Sequence, residues 1–333
     1  MNIYLAPLEG LTDPIFRNAV QKYFGGIDKY YTPFIVTQES GKYRPRDKKG
    51  VAPENNEGIP LVPQILTKYA DQFNRTATDM ARLGYSEVNL NLGCPSGTVA
   101  SKGRGSGFLL HLEELNRFLE EIFNYAEQVE VASDKGGGTG HLEISVKTRI
   151  GVYSPDEFPE ILEIYNQYPI KELTIHPRVR KEFYNGTPHK DVFFEALKNS
   201  KNPVVYNGDL NTPTQISAFT KEVEEIAPIW TDSVMLGRGM IRNPALARMT
   251  KDSEYRLTKE ILREFHEEVY TKHRQELSGD TYVLQHMKEH WFYMIQLFED
   301  SDKQAKQIRK CKNCYEYESI LNGLFSEGSL KNE

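Results

Sequence analysis

Short apolar runs recur along most of the chain, and a stretch with helical spacing of apolar residues follows most of them. The runs occupy residues 3–8, 30–36, 61–66, 87–93, 142–150, 172–177, 203–209 and 233–237. Several are apolar throughout, as parallel strands buried on both faces are. Helical stretches between them include residues 69–83, 112–129, 157–168, 192–198 and 214–225. Eight β/α units predict an α/β fold, a (β/α)8 TIM barrel. A doubly wound sheet is the alternative, because strand order is not visible in a sequence.

The texture of the sequence changes after Pro244. From Thr258 onward Gly and Pro are scarce, and apolar residues recur at helical spacing in two stripes. The stripes consist of Ile261, Phe265, Val269 and Tyr270, and of Trp291, Ile295 and Phe298. We therefore predict a barrel domain over residues 1–243 and a small all-α domain over residues 244–333.

The composition limits where such a chain acts. It has 333 residues, a net charge of −6 and three cysteines, Cys94, Cys311 and Cys314, too few for a disulfide framework. No apolar run approaches the roughly 20 residues of a spanning helix, and no signal-type segment opens the chain. These features predict a cytoplasmic protein with no membrane partner. The negative charge argues against broad coating by nucleic acid but allows a local basic groove.

Polar residues, glycines and one cysteine collect where the predicted strands end. In a β/α barrel these carboxyl ends carry the active site. The residues are Pro7, Leu8, Glu9, Gln64, Asn91, Cys94, Lys147, Arg149, His176, Arg178, Asn207, Gly208, Asp209, Gly237 and Arg238. Their coincidence on one side of the barrel predicts an active site there.

Strands seven and eight form the usual phosphate corner of such barrels. Gly208, Gly237 and Gly239 would let backbone N–H groups approach an anion, and Arg238 could add charge-assisted hydrogen bonds. The alternative is that these glycines only allow tight turns. The set as a whole, with its arginine, favours phosphate binding.

Lys147 lies within an apolar strand, between Val146 and Thr148. If those neighbours face outward, Lys147 faces the barrel interior, where a cation is costly unless it meets an anion. A reduced flavin ring is such an anion. The alternative is an outward lysine that extends to solvent. His176 at the next strand end is interpreted as a cofactor contact, with a structural histidine as the alternative.

Cys94 lies in a Gly-Cys-Pro turn just past a predicted strand. A structural cysteine usually lies inside an element, whereas a thiol at this rim can donate a proton. The loop that follows is rich in glycine and includes Lys102 and Arg104. It is suited to contacting a polyanion above the site.

Six segments of the chain together resemble the tRNA-dihydrouridine synthase family (bacterial type, FMN-dependent). They are APLEGLTD, NLGCPSGTVASKGRGSGFLL, SVKTRIG, HPRVRKEFYNG, VVYNGDL and VMLGRGMIRNP, and they follow in family order. The segments cover the predicted barrel. The helical tail fits the family's C-terminal domain in size and position only. Pro177 and Val179 stand where the family usually has Gly and Thr.

The resemblance implies a flavin enzyme that acts on tRNA. It implies bound FMN reduced by NADPH, hydride transfer to C6 of a uracil, and protonation of C5 by Cys94. The residues implied to hold the cofactor are Pro7, Leu8, Glu9, Gln64, Lys147, His176, Asn207, Gly208, Asp209, Gly237 and Arg238. Those implied to contact the RNA are Asn91, Lys102, Arg104, Arg178 and Arg180. The partner is expected to be tRNA, bound by a monomer that needs no other protein.

Two weaker signals lie in the tail. Cys311 and Cys314 supply only two of the four ligands of a zinc site, and His286 and His290 lie on another segment, so no metal site is predicted. A basic cluster comprises Lys303, Lys306, Arg309, Lys310 and Lys312. It is either a solvated helix face or a contact with the RNA backbone.

Three other functions remain open from the sequence. A barrel flavin reductase for a small metabolite would keep the phosphate corner and Lys147 but would not need the helical tail. A non-catalytic RNA-binding protein should have lost Cys94 or the flavin residues. A dihydrouridine synthase that acts on rRNA would share every motif.

Overall fold

A curled parallel sheet surrounded by helices forms most of the protein, in a computed structural model that describes residues 1–132, 138–227 and 233–331. Its strands are β1 (Asn2–Leu5), β2 (Lys29–Tyr31), β3 (Ile35–Val36), β4 (Leu61–Val62), β5 (Gln64–Leu66), β6 (Glu87–Leu92), β9 (Glu143–Arg149), β10 (Leu173–His176), β11 (Val204–Tyr206) and β12 (Ser233–Leu236). A separate antiparallel pair consists of β7 (Glu130–Ala132) and β8 (Thr139–His141).

The sheet closes into a TIM barrel. Only Pro63 separates β4 from β5, and a short segment with Pro33 separates β2 from β3. Proline has no N–H to donate to a ladder, so each pair is one interrupted strand, and β2–β3 pairs with β4–β5 in parallel. β1 pairs with β12, which joins the first and last strands of the barrel. The predicted barrel is confirmed, and each of the eight predicted strand regions contains a strand.

Helices follow most of the strands and continue into the C-terminal region. They are α1 (Pro14–Tyr23), α2 (Pro45–Val51), α3 (Ala70–Arg82), α4 (Gly97–Ala100), α5 (Leu112–Ala126), α6 (Phe158–Tyr165), α7 (Lys190–Asn199), α8 (Pro213–Ile226), α9 (Arg238–Arg242), α10 (Leu246–Lys251), α11 (Lys259–Glu276), α12 (Asp280–Met294), α13 (Asp302–Lys310) and α14 (Cys314–Glu327). The residues at the start of α1 show how the sequence determines where a helix begins. The Asp13 side chain caps α1, and Pro14 opens it.

Two apolar clusters show which strand residues face inward. The larger fills the space between the strands and the helices and includes Val146. The smaller lies inside the barrel and includes Tyr4, Val205 and Met235. Side chains alternate along a strand, so Lys147, next to Val146, faces the interior as predicted.

The C-terminal region is helical, and it packs on the barrel through aromatic rings. The Phe16 ring of α1 lies 5.8 Å from that of Phe265 on α11 and 5.3 Å from that of His290 on α12, measured between centroids. Trp291 is 1% exposed. Within the described ranges no helix is long and apolar enough to cross a membrane. The predicted domain boundary after residue 243 stays a prediction.

Candidate active site

A cavity of about 320 Å³ lies at the carboxyl ends of the barrel strands. Besides Arg149 and Gly239, twelve of the predicted site residues line it. They are Pro7, Leu8, Glu9, Asn91, Cys94, Lys147, His176, Asn207, Gly208, Asp209, Gly237 and Arg238. Five predicted residues do not line it, namely Gln64, Lys102, Arg104, Arg178 and Arg180. The strand ends that the sequence singled out therefore meet at one cavity. The structure adds which of the predicted residues line it and which lie behind or beside it.

A chain of side-chain amides holds the turn that carries Cys94. Gln64 Nε2 donates to Asn89 Oδ1 at 2.7 Å, and Asn91 Nδ2 donates to Gln64 Oε1 at 2.7 Å. The Asn91 Oδ1 atom accepts the backbone N–H groups of Gly93 at 3.0 Å and Cys94 at 2.9 Å. Gln64 is fully buried and does not reach the cavity. It orients Asn91, which in turn fixes the cysteine.

The Cys94 thiol lines the cavity and is half-buried. Burial raises its pKa above the ordinary value, so the thiol is protonated at neutral pH. The loop behind it closes tightly, because Ser106 donates to the Cys94 carbonyl oxygen through its backbone N–H at 3.1 Å and its hydroxyl at 2.8 Å. A Cβ on Gly105 would lie 2.9 Å from that same oxygen. The arrangement presents a proton donor to the cavity.

Two cations from β9 face this thiol. Burial first, and then the charge of Arg149, lower the pKa of Lys147 to about 7. Arg149 is 2% exposed and donates to the carbonyl oxygens of Gly93, Val179 and Phe183 at 2.5–3.0 Å. Lys147 makes no such bond to any residue that the structure describes. Its ammonium is therefore suited to meet an anion that enters the cavity.

His176 is a neutral imidazole with a fixed tautomer. Its Nδ1 lies 2.6 Å from the carbonyl oxygen of Asn207, which can only accept, so Nδ1 carries the proton. Burial first, and then neighbouring cations, hold the pKa of His176 well below its usual value. Its Nε2 lies 3.4 Å from a terminal nitrogen of Arg178. The ring serves as a rigid, uncharged wall of the cavity.

Asp209 joins two arginines at the predicted phosphate corner. Its carboxylate accepts from Arg178 at 2.5 Å and from Arg238 at 2.5 Å. Burial raises the pKa of Asp209, but the hydrogen bonds and charges of the two guanidinium groups outweigh burial, and the pKa lies below its usual value. The corner is thus an ion-paired cluster in which one carboxylate engages both guanidinium groups.

Arg178 does not line the cavity, and its predicted contact with the RNA stays a prediction. The side chain is fully buried. Its N–H donors face the carbonyl oxygens of Asn185 and Gly186, the His176 ring and Asp209. A guanidinium has five donors, and these partners occupy them. Arg178 therefore positions Asp209 and His176.

The glycines of the predicted phosphate corner, Gly208 and Gly237, occur there for different structural reasons. A Cβ on Gly208 would lie 2.0 Å from the Tyr206 hydroxyl, so only glycine fits there. A Cβ on Gly237 would meet Ala6 at 3.6 Å, an ordinary contact. Gly237 also precedes α9, and the first N–H groups of a helix have no partner inside it. Gly208 is thus explained by packing, whereas the turn at Gly237 can offer donors to an anion.

Aromatic side chains at the mouth of the cavity were not predicted. The Tyr184 ring lies 4.9 Å from the Arg238 guanidinium, 5.5 Å from that of Arg149 and 6.2 Å from the His176 ring. Phe183 precedes it with a φ of 52°, a backbone conformation that a side chain of this kind rarely adopts. Tyr184 is 49% exposed. It provides a flat apolar surface beside the site, which no periodicity in the sequence could reveal.

A basic rim lies next to the Cys94 loop. Arg104 lies 5.8 Å and Lys68 lies 5.6 Å from the centre of the exposed Tyr69 ring. Lys102 is exposed in the same loop. Arg180 lies in a short 3₁₀ turn, and its backbone N–H donates to the Gly151 carbonyl oxygen. Lys102, Arg104 and Arg180 do not line the cavity, and their predicted contact with RNA stays a prediction.

Comparisons with known proteins identify the family of this chain. A family model described as "Dihydrouridine synthase (Dus)" matches residues 4–323. A "Probable tRNA-dihydrouridine synthase" of Staphylococcus aureus (strain Mu50 / ATCC 700699) is 30% identical over 262 residues, 78% of this chain and 73% of that protein. A "Probable tRNA-dihydrouridine synthase 2" of Bacillus subtilis (strain 168) is 30% identical over 264 residues, with 78% and 74% covered.

Two solved structures share the fold. A 2-naphthoyl-CoA reductase aligns with a TM-score of 0.52 at 14% identity, covering 76% of this chain and 50% of that one. Morphinone reductase aligns with a TM-score of 0.50 at 11% identity, covering 78% and 87%. At such identities the likeness concerns the barrel alone. The match over almost the whole length and the shared motifs show that this chain belongs to the dihydrouridine synthase family.

Proposed function

We propose that this protein reduces uridines in tRNA to 5,6-dihydrouridine, with FMN as cofactor and NADPH as reductant. The observation that carries the proposal is that a protonated thiol, Cys94, and a half-buried lysine without a protein partner, Lys147, line one cavity. The reaction adds a hydride to C6 and a proton to C5 of uracil. NADPH is the source of the hydride, and the protein supplies the proton.

The residues present fit a flavin mononucleotide. Lys147 supplies a cation without a protein partner, and Ala6, Pro7 and Leu8 supply an apolar wall. The turn at Gly237 and the side chain of Arg238 suit the phosphate end. When bound there, FMN supplies the hydride for C6. In this proposal Asn207 and His176 form the wall against which the ring rests.

Cys94 is the group that completes the reduction. A hydride added at C6 leaves negative charge at C5, which takes a proton from the thiol. The Asn91 amide holds the turn, and the closed loop through Ser106 keeps the sulfur at the cavity. The thiolate that remains regains its proton from solvent.

The RNA substrate requires contacts beyond the cavity. A uracil must leave its stack to enter, which costs a few kcal/mol, and phosphate and shape contacts must offset that cost. We propose that the rim of Lys68, Lys102 and Arg104 and the helical region over residues 244–333 make these contacts. Helix α13 presents exposed Lys306, Arg309 and Lys310 for this purpose.

The test is a reaction with purified components. The protein should carry or take up FMN with a yellow absorbance. With NADPH it should form dihydrouridine in tRNA transcripts, detected by nucleoside mass spectrometry as a gain of two hydrogens. Transcribed rRNA is the control substrate. Product in rRNA alone would redirect the proposal to rRNA, and a folded protein that takes up no flavin would refute it.

Lys147→Met is expected to slow NADPH-dependent reduction of bound FMN on the order of 10²-fold, because the variant lacks the cation near the charge that develops. Lys147→Arg keeps a charge and should lose less. Stopped-flow absorbance measures both rates, and titration of FMN fluorescence measures affinity. An unchanged rate at full FMN occupancy would mean that Lys147 is only structural.

Lys147→Met should also change the pH dependence of protein stability, which can be measured without cofactor. Because Lys147 has a folded-state pKa of about 7 and an ordinary value of 10.5, the unfolded chain binds one more proton between these limits. The free energy of unfolding of flavin-free protein therefore rises with pH from 7 to 10.5, by up to about 1.4 kcal/mol per pH unit from this residue. Denaturant unfolding of Lys147→Met should lack this component.

Replacing Lys306, Arg309 and Lys310 with Ala is expected to make tRNA binding less dependent on salt. In a B-DNA duplex, each phosphate that the protein neutralises adds about −0.9 to the slope of log affinity against log salt concentration. A similar contribution is expected for the duplex regions of tRNA. Filter binding over a range of salt concentrations measures the slope.

The control removes the same charge elsewhere. Lys198, Lys201 and Lys221 are exposed around α7 and α8 on the barrel, and their replacement with Ala should leave the slope unchanged. Equal slopes for both triple variants and the wild type would show that α13 is a solvated helix face.

A further inference from the structure

Three potential metal ligands meet where the barrel joins the C-terminal helices. Asp13 caps α1, His273 lies in the last turn of α11, and His286 lies on α12. One oxygen or nitrogen atom from each lies within 4.8 Å of the others. Among the described residues this is the one group of three His, Cys, Asp or Glu side chains that satisfies that distance.

Two of the imidazole nitrogens have no hydrogen-bond partner. His273 Nε2 and His286 Nδ1 are both buried without one among the residues that the structure covers. His273 is 1% exposed, and its Nε2 lies 3.6 Å from Asp13 Oδ2, too far for a hydrogen bond. Buried polar atoms are normally paired, so two orphaned nitrogens beside a carboxylate require an explanation.

Neighbouring histidines show what a purely structural role involves here. His290 Nδ1 lies 3.1 Å from the His286 carbonyl oxygen, and its Nε2 lies 3.1 Å from the Leu11 carbonyl oxygen. His266 Nε2 bonds to the Tyr317 hydroxyl at 2.7 Å. A neutral His290 donates to one of these two carbonyl oxygens, and His266 bonds to Tyr317, so each ring has a protein partner. His273 Nε2 and His286 Nδ1 have none among the described residues.

We propose that Asp13, His273 and His286 bind a divalent transition-metal ion of the zinc type. Two imidazoles and one carboxylate are a common zinc donor set, with water as the fourth ligand. The two rings stack with centroids 4.5 Å apart at 26°, so small rotations bring their nitrogens to one ion. Asp13 Oδ1 accepts the Phe16 N–H at 2.9 Å, which leaves Oδ2 for the metal.

The surroundings have room for the ion and its water. A cavity of about 280 Å³ is lined by all three residues. Three cations, Arg17, Arg46 and Lys49, also line it, and Arg46 is paired with Glu9. Lys49 is paired with Glu276, and Arg17 is bonded to the Thr12 carbonyl oxygen and to Asn56. Their charges are therefore engaged with other partners.

The position of the site gives the ion a structural role. Asp13 ends the loop that carries Leu8 and Glu9 to the active-site cavity. The two histidines belong to the helices that pack on the barrel. A bound ion would therefore fasten the C-terminal helical region to the active-site loop.

The experiment uses the full chain without an affinity tag, treated with a chelator and then dialysed. Titration with Co²⁺ should give visible ligand-field bands of a four-coordinate N/O site at one equivalent, and Zn²⁺ should displace it. Zn²⁺ should also raise the thermal unfolding midpoint. Asp13→Asn keeps a good helix cap, and His286→Gln changes a half-buried ring. Each should weaken Zn²⁺ binding by more than the roughly 10- to 100-fold that loss of an outer-shell partner causes.

His111→Gln is the matched control, since His111 is an exposed histidine on the barrel, and it should bind like the wild type. Circular dichroism checks that each variant is folded. Three results would overturn the proposal: no Co²⁺ spectrum in the wild type, unchanged affinity in folded Asp13→Asn, or thiolate charge-transfer bands that assign the ion to a cysteine.

Discussion

Replacing Cys94 with Ala is expected to lower the rate of dihydrouridine formation by roughly 10²- to 10⁴-fold, the usual cost of losing a positioned acid. FMN binding and NADPH oxidation should persist, because the turn that carries Cys94 is held through its backbone. The Asn91 side chain accepts the Cys94 backbone N–H, and the Ser106 hydroxyl donates to the Cys94 carbonyl oxygen. Single-turnover reoxidation of the reduced enzyme by unmodified tRNA, with product quantified, measures the effect.

Two controls separate acid catalysis from packing. Cys94→Ser keeps the size of the side chain but is a far weaker acid, so it should retain only a trace of activity. Cys311→Ala removes a buried cysteine of the helical region and should keep the wild-type single-turnover rate. If Cys94→Ala forms product at the wild-type rate, the proton comes from another group.

The second large effect concerns the ion pair beneath the cavity. Asp209→Ala is expected to reduce the free energy of unfolding by about 3 kcal/mol, because it leaves the fully buried Arg178 guanidinium without a carboxylate. Arg178→Met should cost less, since Asp209 stays partly exposed and paired with Arg238. Denaturant unfolding of the flavin-free proteins compares the three.

The pH dependence of this effect has a definite sign. The pKa of Asp209 in the folded protein lies below 3.8, so its stabilising contribution is present above that pH and is lost as pH falls through the folded value. Asp191→Ala removes an exposed carboxylate and should change stability by less than about 0.5 kcal/mol. Equal stability of Asp209→Ala and the wild type at pH 7 would show that Arg178 does not depend on this partner.

The barrel was predictable because burial on both faces leaves a local mark, a run of apolar residues. The breaks at Pro63 and Pro33 were not predicted, although proline supplies the signal. The β7–β8 hairpin was missed for a different reason. Of the residues of β7 only Val131 is buried, so this strand has neither an apolar run nor an alternating pattern over enough residues.

The site was predictable in position but not in the role of each residue. A residue at the end of a strand can face the cavity, as Lys147 does, or support a residue that does, as Gln64 does for Asn91. Burial decides between the two, and sequence spacing does not report it. The same limit applies to Arg178. The sequence predicted that it contacts the RNA, and in the fold its guanidinium group pairs with Asp209.

Contacts between residues that are far apart in the chain could not be predicted from the sequence either. Tyr184 meets Arg238 from a different β/α unit. Asp13 and His273 are separated by most of the chain and come together because α11 packs on α1. Neither spacing matches a local motif, so only the packed structure reveals these contacts.

The central claim, that this protein forms dihydrouridine in tRNA, is tested most directly in cells. Nucleoside mass spectrometry should compare tRNA and rRNA from a strain that lacks the gene, with the gene restored as wild type or as Cys94→Ala. The account predicts that dihydrouridine disappears from defined tRNA positions, returns with the wild type and stays absent with Cys94→Ala. Unchanged tRNA dihydrouridine in the deletion strain, with a loss confined to rRNA or no loss at all, would contradict it.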